Sequence, residues 1–282
     1  MAIVNFIPEV WAAELQSSLK KALVYAGPSV VNRNYEGEIA NQGDTVHIAS
    51  ISRPTIGSYV KNSTTITPEN LTDAERTLNI DQAKYFAFEV DDIDMRQSRD
   101  GGALMSEAAQ EAAYGLADVQ DQFVAALYTD TDAGNVITTT SVTDAAKAVK
   151  GLVDLKVKLD VSNVPSAGRY AIVPPWYHGL LLQSDLFVRV DASGNDTALR
   201  NGIVGRAFGF DVLLSNNVPI ITGDDYAVFA GYPGAIAFAQ QIAKVEAYRP
   251  PDAFSDALKG LSLYGAKVVR PSGIAYLTAS VT

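Results

Sequence analysis

The chain has 282 residues, 48% hydrophobic and 19% charged, which suits one large domain or two medium ones and excludes a chain disordered throughout. It carries 22 Lys and Arg against 32 Asp and Glu, a formal net charge of -10, which argues against gripping phosphate backbones through clustered basic charge. It has no cysteine, so disulfides, zinc–thiolate sites and thiol nucleophiles are excluded together.

The opening MAIVNFIPEVWAAE has no basic leader and carries Glu9 and Glu14 early, which reads against a secretory signal. No run approaches the roughly 18 apolar residues that span a bilayer. The expectation is a soluble protein made in the cytoplasm. Pro8 suits the first turn of a helix, and Trp11, Leu15, Leu19 and Leu23 form one apolar stripe before Gly27-Pro28 stops it. So short an amphipathic helix is marginal in water unless its stripe is covered. The cover is either the chain's own core or a neighbouring subunit.

From Gly43 to Met95 the pattern predicts long strands around an unusual middle. Val46, Ile48 and Ile51 begin an extended segment, and Leu78, Ile80, Phe86, Phe88 and Val90 bring it back. Between them, SRPTIGSYVKNSTTITPENLTDAER has few large apolar residues and cannot cover itself with a core. Long structureless loops are uncommon in compact domains. A projecting β-hairpin, ordered by contact with another chain, fits this composition.

Leu104, Ala108, Ala112, Leu116, Val119, Phe123 and Leu127 recur at helical spacing and predict one long helix over Gly101–Thr129, roughly 40 Å at 1.5 Å per residue. A second helix follows, capped by Thr143 or Asp144, with Ala145, Ala148, Leu152, Leu155 and Leu159 on its buried side. Tyr170–Val173 reads as a short strand and Trp176–Gln183 as a short helix. Residues 184–201 are polar and read as an exposed loop.

Gly202, Gly205 and Gly209 resemble a phosphate-binding loop, but such a cradle needs a strand before it and a helix after it. Here Phe210, Val212 and Leu214 alternate as a strand, and Asn216, Asn217 and Pro219 end it. The glycines are expected at sharp backbone bends between strands. Tyr226–Ala230, Ile236–Ala239 and Lys244–Tyr248 are strand-like, a short segment lies near Phe254–Leu263, and Ala266–Arg270 and Ile274–Thr278 close the chain.

Catalytic patterns are missing. His47 and His178 stand apart with no metal-ligand spacing, and there is no G-x-S-x-G, H-E-x-x-H or G-x-x-x-x-G-K-[ST]. Glu89, Asp91, Asp92 and Asp94 are followed by Arg96 where a calcium loop needs a ligand; DTDAGN places Gly134 and Ser141 at ligand positions. A solvated strand end and a turn are expected instead. No catalytic, cofactor or metal site is predicted.

Taken in order, the arm IPEVWAAELQSSLKKALVYA, the loop flanks GDTVHI and FAFEVDDIDMRQS, the long helix, GFDVLLSNNVP and the closing YGAKVVRPSGIAYL resemble a tailed-phage major capsid protein over nearly the whole chain. The resemblance implies an α+β fold with an N-terminal arm (1–42), an extended loop and flanking strands (43–95), and a peripheral domain on a spine helix (96–139). It further implies an axial domain (140–250) and a C-terminal return to the peripheral domain (251–282). It implies pentamers and hexamers in an icosahedral head around double-stranded DNA, bound without sequence specificity, with scaffolding and portal proteins as partners. No cofactor or membrane is involved, and assembly takes place in the host cytoplasm. Because the chain begins almost directly with the arm, a separate scaffolding protein or none is expected.

Trp11, Leu15, Leu19, Tyr59, Lys61 and Arg76 are the candidate inter-subunit contacts. Some relatives cross-link a loop lysine to a neighbour; Lys61 lies in such a loop without a matched partner, so it reads as a solvated lysine. Two alternatives stand beside the virion shell: an encapsulin-like compartment for protein cargo, and a soluble hydrolase using dispersed residues.

Overall fold

Along strand β5 (Arg169–Val173), Tyr170 and Ile172 enter one hydrophobic core while Ala171 and Val173 enter another. The whole strand is buried, so RYAIV carries no polar alternation: neither face of its sheet meets water there. The computed structural model describes residues 24–34, 45–51, 55–63, 65, 73–92, 103–184 and 203–281.

That seven-stranded sheet runs in the order β4 (Val136–Ser141), β12 (Ile274–Ser280), β9 (Asp225–Gly231), β5, β7 (Phe210–Leu214), β6 (Ile203–Ala207), with β8 (Ile220–Thr222) paired to β9. The two-sided alternation repeats in its neighbours. Phe229 and Leu213 join one core; Val228, Ala230, Phe210 and Val212 join the other. Leu214 departs from the expected alternation: it ends β7 exposed, and Leu213 is the buried one. Gly209, at φ 86, makes the β6–β7 turn in a conformation that L side chains rarely adopt, and Gly205 sits at a register shift, so both glycines serve backbone geometry.

Helices α2 (Ala145–Val161) and α3 (Pro175–Leu182) cover one face through Ala148, Leu152, Leu155, Leu159, Tyr177 and Leu181. Asp144 caps α2, its side chain accepting from the Lys147 amide at 2.8 Å. Helix α1 (Ala103–Ala125), roughly 34 Å long at 1.5 Å per residue, helps cover the other face and continues as a 3-10 turn over Ala126–Asp130. Its buried side overlaps the expected stripe in part: Leu116 is buried and Phe123 and Leu127 pack against the core, but the inner face also takes in neighbouring positions. Ala109, Ala113, Leu116, Ala117, Gln120, Asp121 and Val124 face inward and Val119 faces out. Two polar residues occupy the inner face, which hides it from a hydrophobic pattern.

The three-stranded sheet has β11 (Ser255–Val268) between β10 (Ile236–Tyr248) and β3 (Gln82–Asp91). Segments expected as separate strands are joined here, with one irregularity between Ile242 and Lys244. Glycine interrupts the apolar pattern of β11 for a steric reason: a Cβ on Gly265 would stand 2.2 Å from the Asn79 carbonyl oxygen. Finally, β1 (Thr45–Ile51) and β2 (Asp73–Asn79) form an antiparallel hairpin registered from Thr45 opposite Asn79 to Ile51 opposite Asp73. The expected returning segment divides after Ile80 into β2 and β3, which belong to different sheets.

Candidate assembly interface

Three distant pieces of chain meet at one buried carboxylate. Asp121 Oδ1 accepts the amides of Val24, Tyr25 and Ala26 at 2.9, 2.6 and 3.4 Å, and its Oδ2 accepts Asn217 Nδ2 at 3.1 Å. Tyr25, Ala26, Val30 and Val31 are buried beside it. Burial raises the Asp121 carboxyl above its ordinary value, with the bonds from Asn217 and the three amides acting in the opposite direction. The segment then runs beside β10, where Asn32 and Ala237 form a parallel bridge and the Arg33 guanidinium lies 5.3 Å from the Phe238 ring centre. The end of the N-terminal stretch, residues 24–34, therefore docks at home. Gln120, also buried on α1, donates to Ser262 at 3.1 Å and ties the helix to β11. Neither polar residue was visible as a site in the sequence, because the signal lies in which distant amides meet them.

Among the described residues the hairpin is anchored at its base. Ile48, Leu78 and Ile80 pack with Ala237, Ala239 and Leu263 at its base. Beyond β1 every described residue from Thr55 to Ser63 is exposed, with Ile56 at 90% and Tyr59 at 68% of full exposure. Of the six sequence candidates, Tyr59 and Lys61 lie on this exposed segment. Arg76 lies on β2, exposed, with its Nη1 donating to the Val268 carbonyl at 3.2 Å. Trp11, Leu15 and Leu19 lie outside the described residues.

The outer face of the three-stranded sheet is open. Tyr85 (78% exposed), Ala87, Glu246, Lys259 and Leu261 line a shallow groove of about 470 Å³. Lys259 pairs with Glu246 at 2.9 Å and lies 5.0 Å from the Tyr248 ring centre; the Glu246 carboxylate raises its ammonium above the ordinary value.

Three of the aspartates inspected for chemistry make contacts within the chain, and Asp94 and Arg96 lie outside the described residues. Asp132 accepts the Gly134 amide at 2.8 Å to shape the DTDAGN turn, Asp130 pairs with Lys267 at 3.6 Å, and Asp92 pairs with Arg249. No group of three or more metal-ligating side chains gathers among the described residues. No helix among them is long and apolar enough to cross a membrane.

This arrangement, a two-sided sheet beside a long-stranded sheet, a long helix and an exposed hairpin, is shared with solved phage proteins. The chain is 32% identical to a solved structure from Mycobacterium phage Che8, covering 98% of each chain with a TM-score of 0.70. A capsid structure of the cyanophage P-SCSP1u matches at 19% identity and TM-score 0.68, over 93% of this chain and 90% of that one. A virus-like particle from Pyrococcus furiosus shares the fold at 13% identity and TM-score 0.58, over 97% and 100%. A search of curated protein sequences found no match. The phage capsid protein family profile matches residues 74–277, and the chain belongs to the tailed-phage major capsid proteins. Its role is that of a structural component of a bacteriophage shell, not an enzyme.

Proposed function

We propose that copies of this chain assemble as pentamers and hexamers into an icosahedral head that encloses double-stranded DNA without reading its sequence. One observation carries the reading. The chain folds the base of its hairpin into its own core yet leaves Ile56, Tyr59 and Val60 exposed on a stretch whose described residues, from Thr55 to Ser63, are all exposed. Apolar side chains presented this way gain stability when a neighbour covers them, at about 25 cal/mol per Å² removed from water. Tyr59, Lys61 and Arg76 are assigned to that contact, together with Trp11, Leu15 and Leu19 of the arm. Individually weak contacts, each about -8 kcal/mol if micromolar, become durable when one subunit makes several at once.

The division follows: arm 1–42, hairpin and flanking strands 43–95, peripheral domain 96–139, axial domain 140–250, and a return to the peripheral domain over 251–282. A net charge of -10 suits a wall against which packaged DNA slides without sticking. Scaffolding and portal proteins are the expected partners, with assembly in the host cytoplasm.

Negative-stain microscopy of the purified protein tests this. Closed shells or capsomers are expected, and a monomer at every concentration and salt would overturn the proposal. Because a virus-like particle shares the fold, the contents of particles from infected cells separate a genome shell from a protein-filled compartment: nuclease-protected DNA is the expected cargo.

A further inference from the structure

Helix α2 buries Ala148, Leu152, Leu155 and Leu159 against the sheet, and on its other side it exposes Val153, Val157 and Val161, the last two at 53% and 76%. These valines are four residues apart, so they form one line about 12 Å long. Valine is a weaker helix former than lysine, glutamate or alanine, because its branched Cβ loses freedom against the preceding turn. Three in a row on a solvated face neither favour the helix nor aid solubility, which points to cover from another molecule.

The same chain presents a surface that complements this line. Strand β8 is only three residues long, paired to β9 alone, and leaves Ile220 (59% exposed) and Ile221 in solvent. Asp224 in the turn after it and Asp225 at the start of β9 make no ion pair among the described residues. Helix α2 bears Lys147, Lys150, Lys156 and Lys158. Its two aspartates are already engaged, Asp154 by Lys150 and Asp160 by Arg169 at 2.6 Å. Stripe against stripe would place lysines against lysines, so a two-fold pairing of two α2 helices is disfavoured. Stripe against hairpin matches apolar to apolar and base to acid.

We infer that the valine face of α2 receives the Ile220–Asp225 hairpin of a neighbouring copy, a head-to-tail contact. The two patches lie on different parts of the subunit, one on a helix across a sheet face and one at an end of that sheet. A contact between two different patches repeats around a ring instead of closing as a two-fold dimer. This rests on the shell reading and supplies the contact that closes a capsomer within it.

The test uses wild-type particles. Carbodiimide joins a lysine amine to a carboxylate that touches it. Mass spectrometry of treated particles is expected to show Lys147, Lys150 or Lys156 linked to Asp224 or Asp225, links absent from unassembled subunits treated alike. V157D, at an exposed position, should leave the thermal unfolding of the subunit nearly unchanged. It should raise the protein concentration needed for assembly at least about tenfold. Particles without those links, or a V157D variant that assembles at the wild-type concentration, would overturn the contact while leaving the shell reading intact. A wild-type protein that never leaves the monomer removes both.

Discussion

The carboxylate of Asp121 and the amide of Tyr25, 96 residues apart in sequence, are joined at 2.6 Å in a buried junction. Asp121 closes the last turns of α1 over the end of the N-terminal segment, and through Asn217 it reaches the loop between β7 and β8. One side chain thus sets where residues 24–34 leave the body.

Asp121→Ala leaves three amides without their acceptor, and buried donors without partners cost about 1–3 kcal/mol each when water cannot replace the lost group. The variant should be about 2–4 kcal/mol less stable in urea unfolding and should expose residues 24–34 to protease. Asp121→Asn keeps an acceptor oxygen for the three amides but loses the bond from Asn217, whose Nδ2 stays held by Asp118 at 2.7 Å, and should cost about 1 kcal/mol, less than Asp121→Ala. Equal losses for both variants would show that the amide bonds do not hold the segment.

The same residue gives a pH dependence of defined sign. Burial lifts the Asp121 carboxyl above its ordinary 3.8, so between that value and its native one the folded chain holds a proton that the unfolded chain has released. The contribution is present below the ordinary value and is lost as pH rises through the raised one. Wild type should therefore lose stability relative to Asp121→Asn as pH rises from about 4. Paired urea midpoints measure this; a constant difference across the range would contradict it.

At the alkaline end three tyrosines act together. Burial raises Tyr25, Tyr170 and Tyr177 above the usual 10.0, with Asp121 and Tyr170 adding to Tyr25 and Asp154 adding to Tyr177. Their stabilisation is intact below about pH 10 and declines above it, because the unfolded chain releases protons that the native chain keeps. Tyrosinate absorbance from these residues should appear together with the loss of secondary structure, in one cooperative step. Absorbance that saturates while circular dichroism is unchanged would show that they are reachable by solvent.

The strand pattern of the sequence exposed much of this fold and little of its junctions. Phe210 and Val212 alternate because one face of β7 meets α2 and α3, and Asp144 is a cap by residue type and position; both are local facts. On α1 the pattern finds Leu116, Phe123 and Leu127 but not Gln120 and Asp121, which are buried because their partners come from Ser262 and from residues 24–26. The segments expected near Phe254–Leu263 and over Ala266–Arg270 run through Gly265 as one strand, and no local pattern shows why that position lacks a side chain: a Cβ there would stand 2.2 Å from the Asn79 carbonyl oxygen. The hairpin was legible for the opposite reason: a segment that cannot cover itself announces this in its composition.

Phe210 and Leu214 offer a test of the two-sided sheet within one strand. Phe210 is fully buried and Leu214 ends the strand exposed. Phe210→Asp places a charge in the core at a cost of about 4 kcal/mol or more and should abolish soluble folded protein. Leu214→Asp should shift stability by less than about 1 kcal/mol. Comparable soluble yields of both, judged by circular dichroism, would mean that the faces are misassigned.

The exposed hairpin gives the sharpest separation of folding from assembly. Ile56, Tyr59 and Val60 are exposed, and the core below them closes through Ile48, Leu78 and Ile80. Replacing the three tip residues by serine removes apolar surface that the isolated subunit never buries, so thermal unfolding of the subunit should move by only a degree or two. The covered area is lost only where subunits meet, and it is lost at every copy of the contact, so small deficits multiply through the shell. The variant should remain as folded subunits or small oligomers in sedimentation at concentrations where wild type forms shells. Shells formed at the wild-type threshold would show that the tip is solvent-facing in the particle and that other surfaces hold the lattice together.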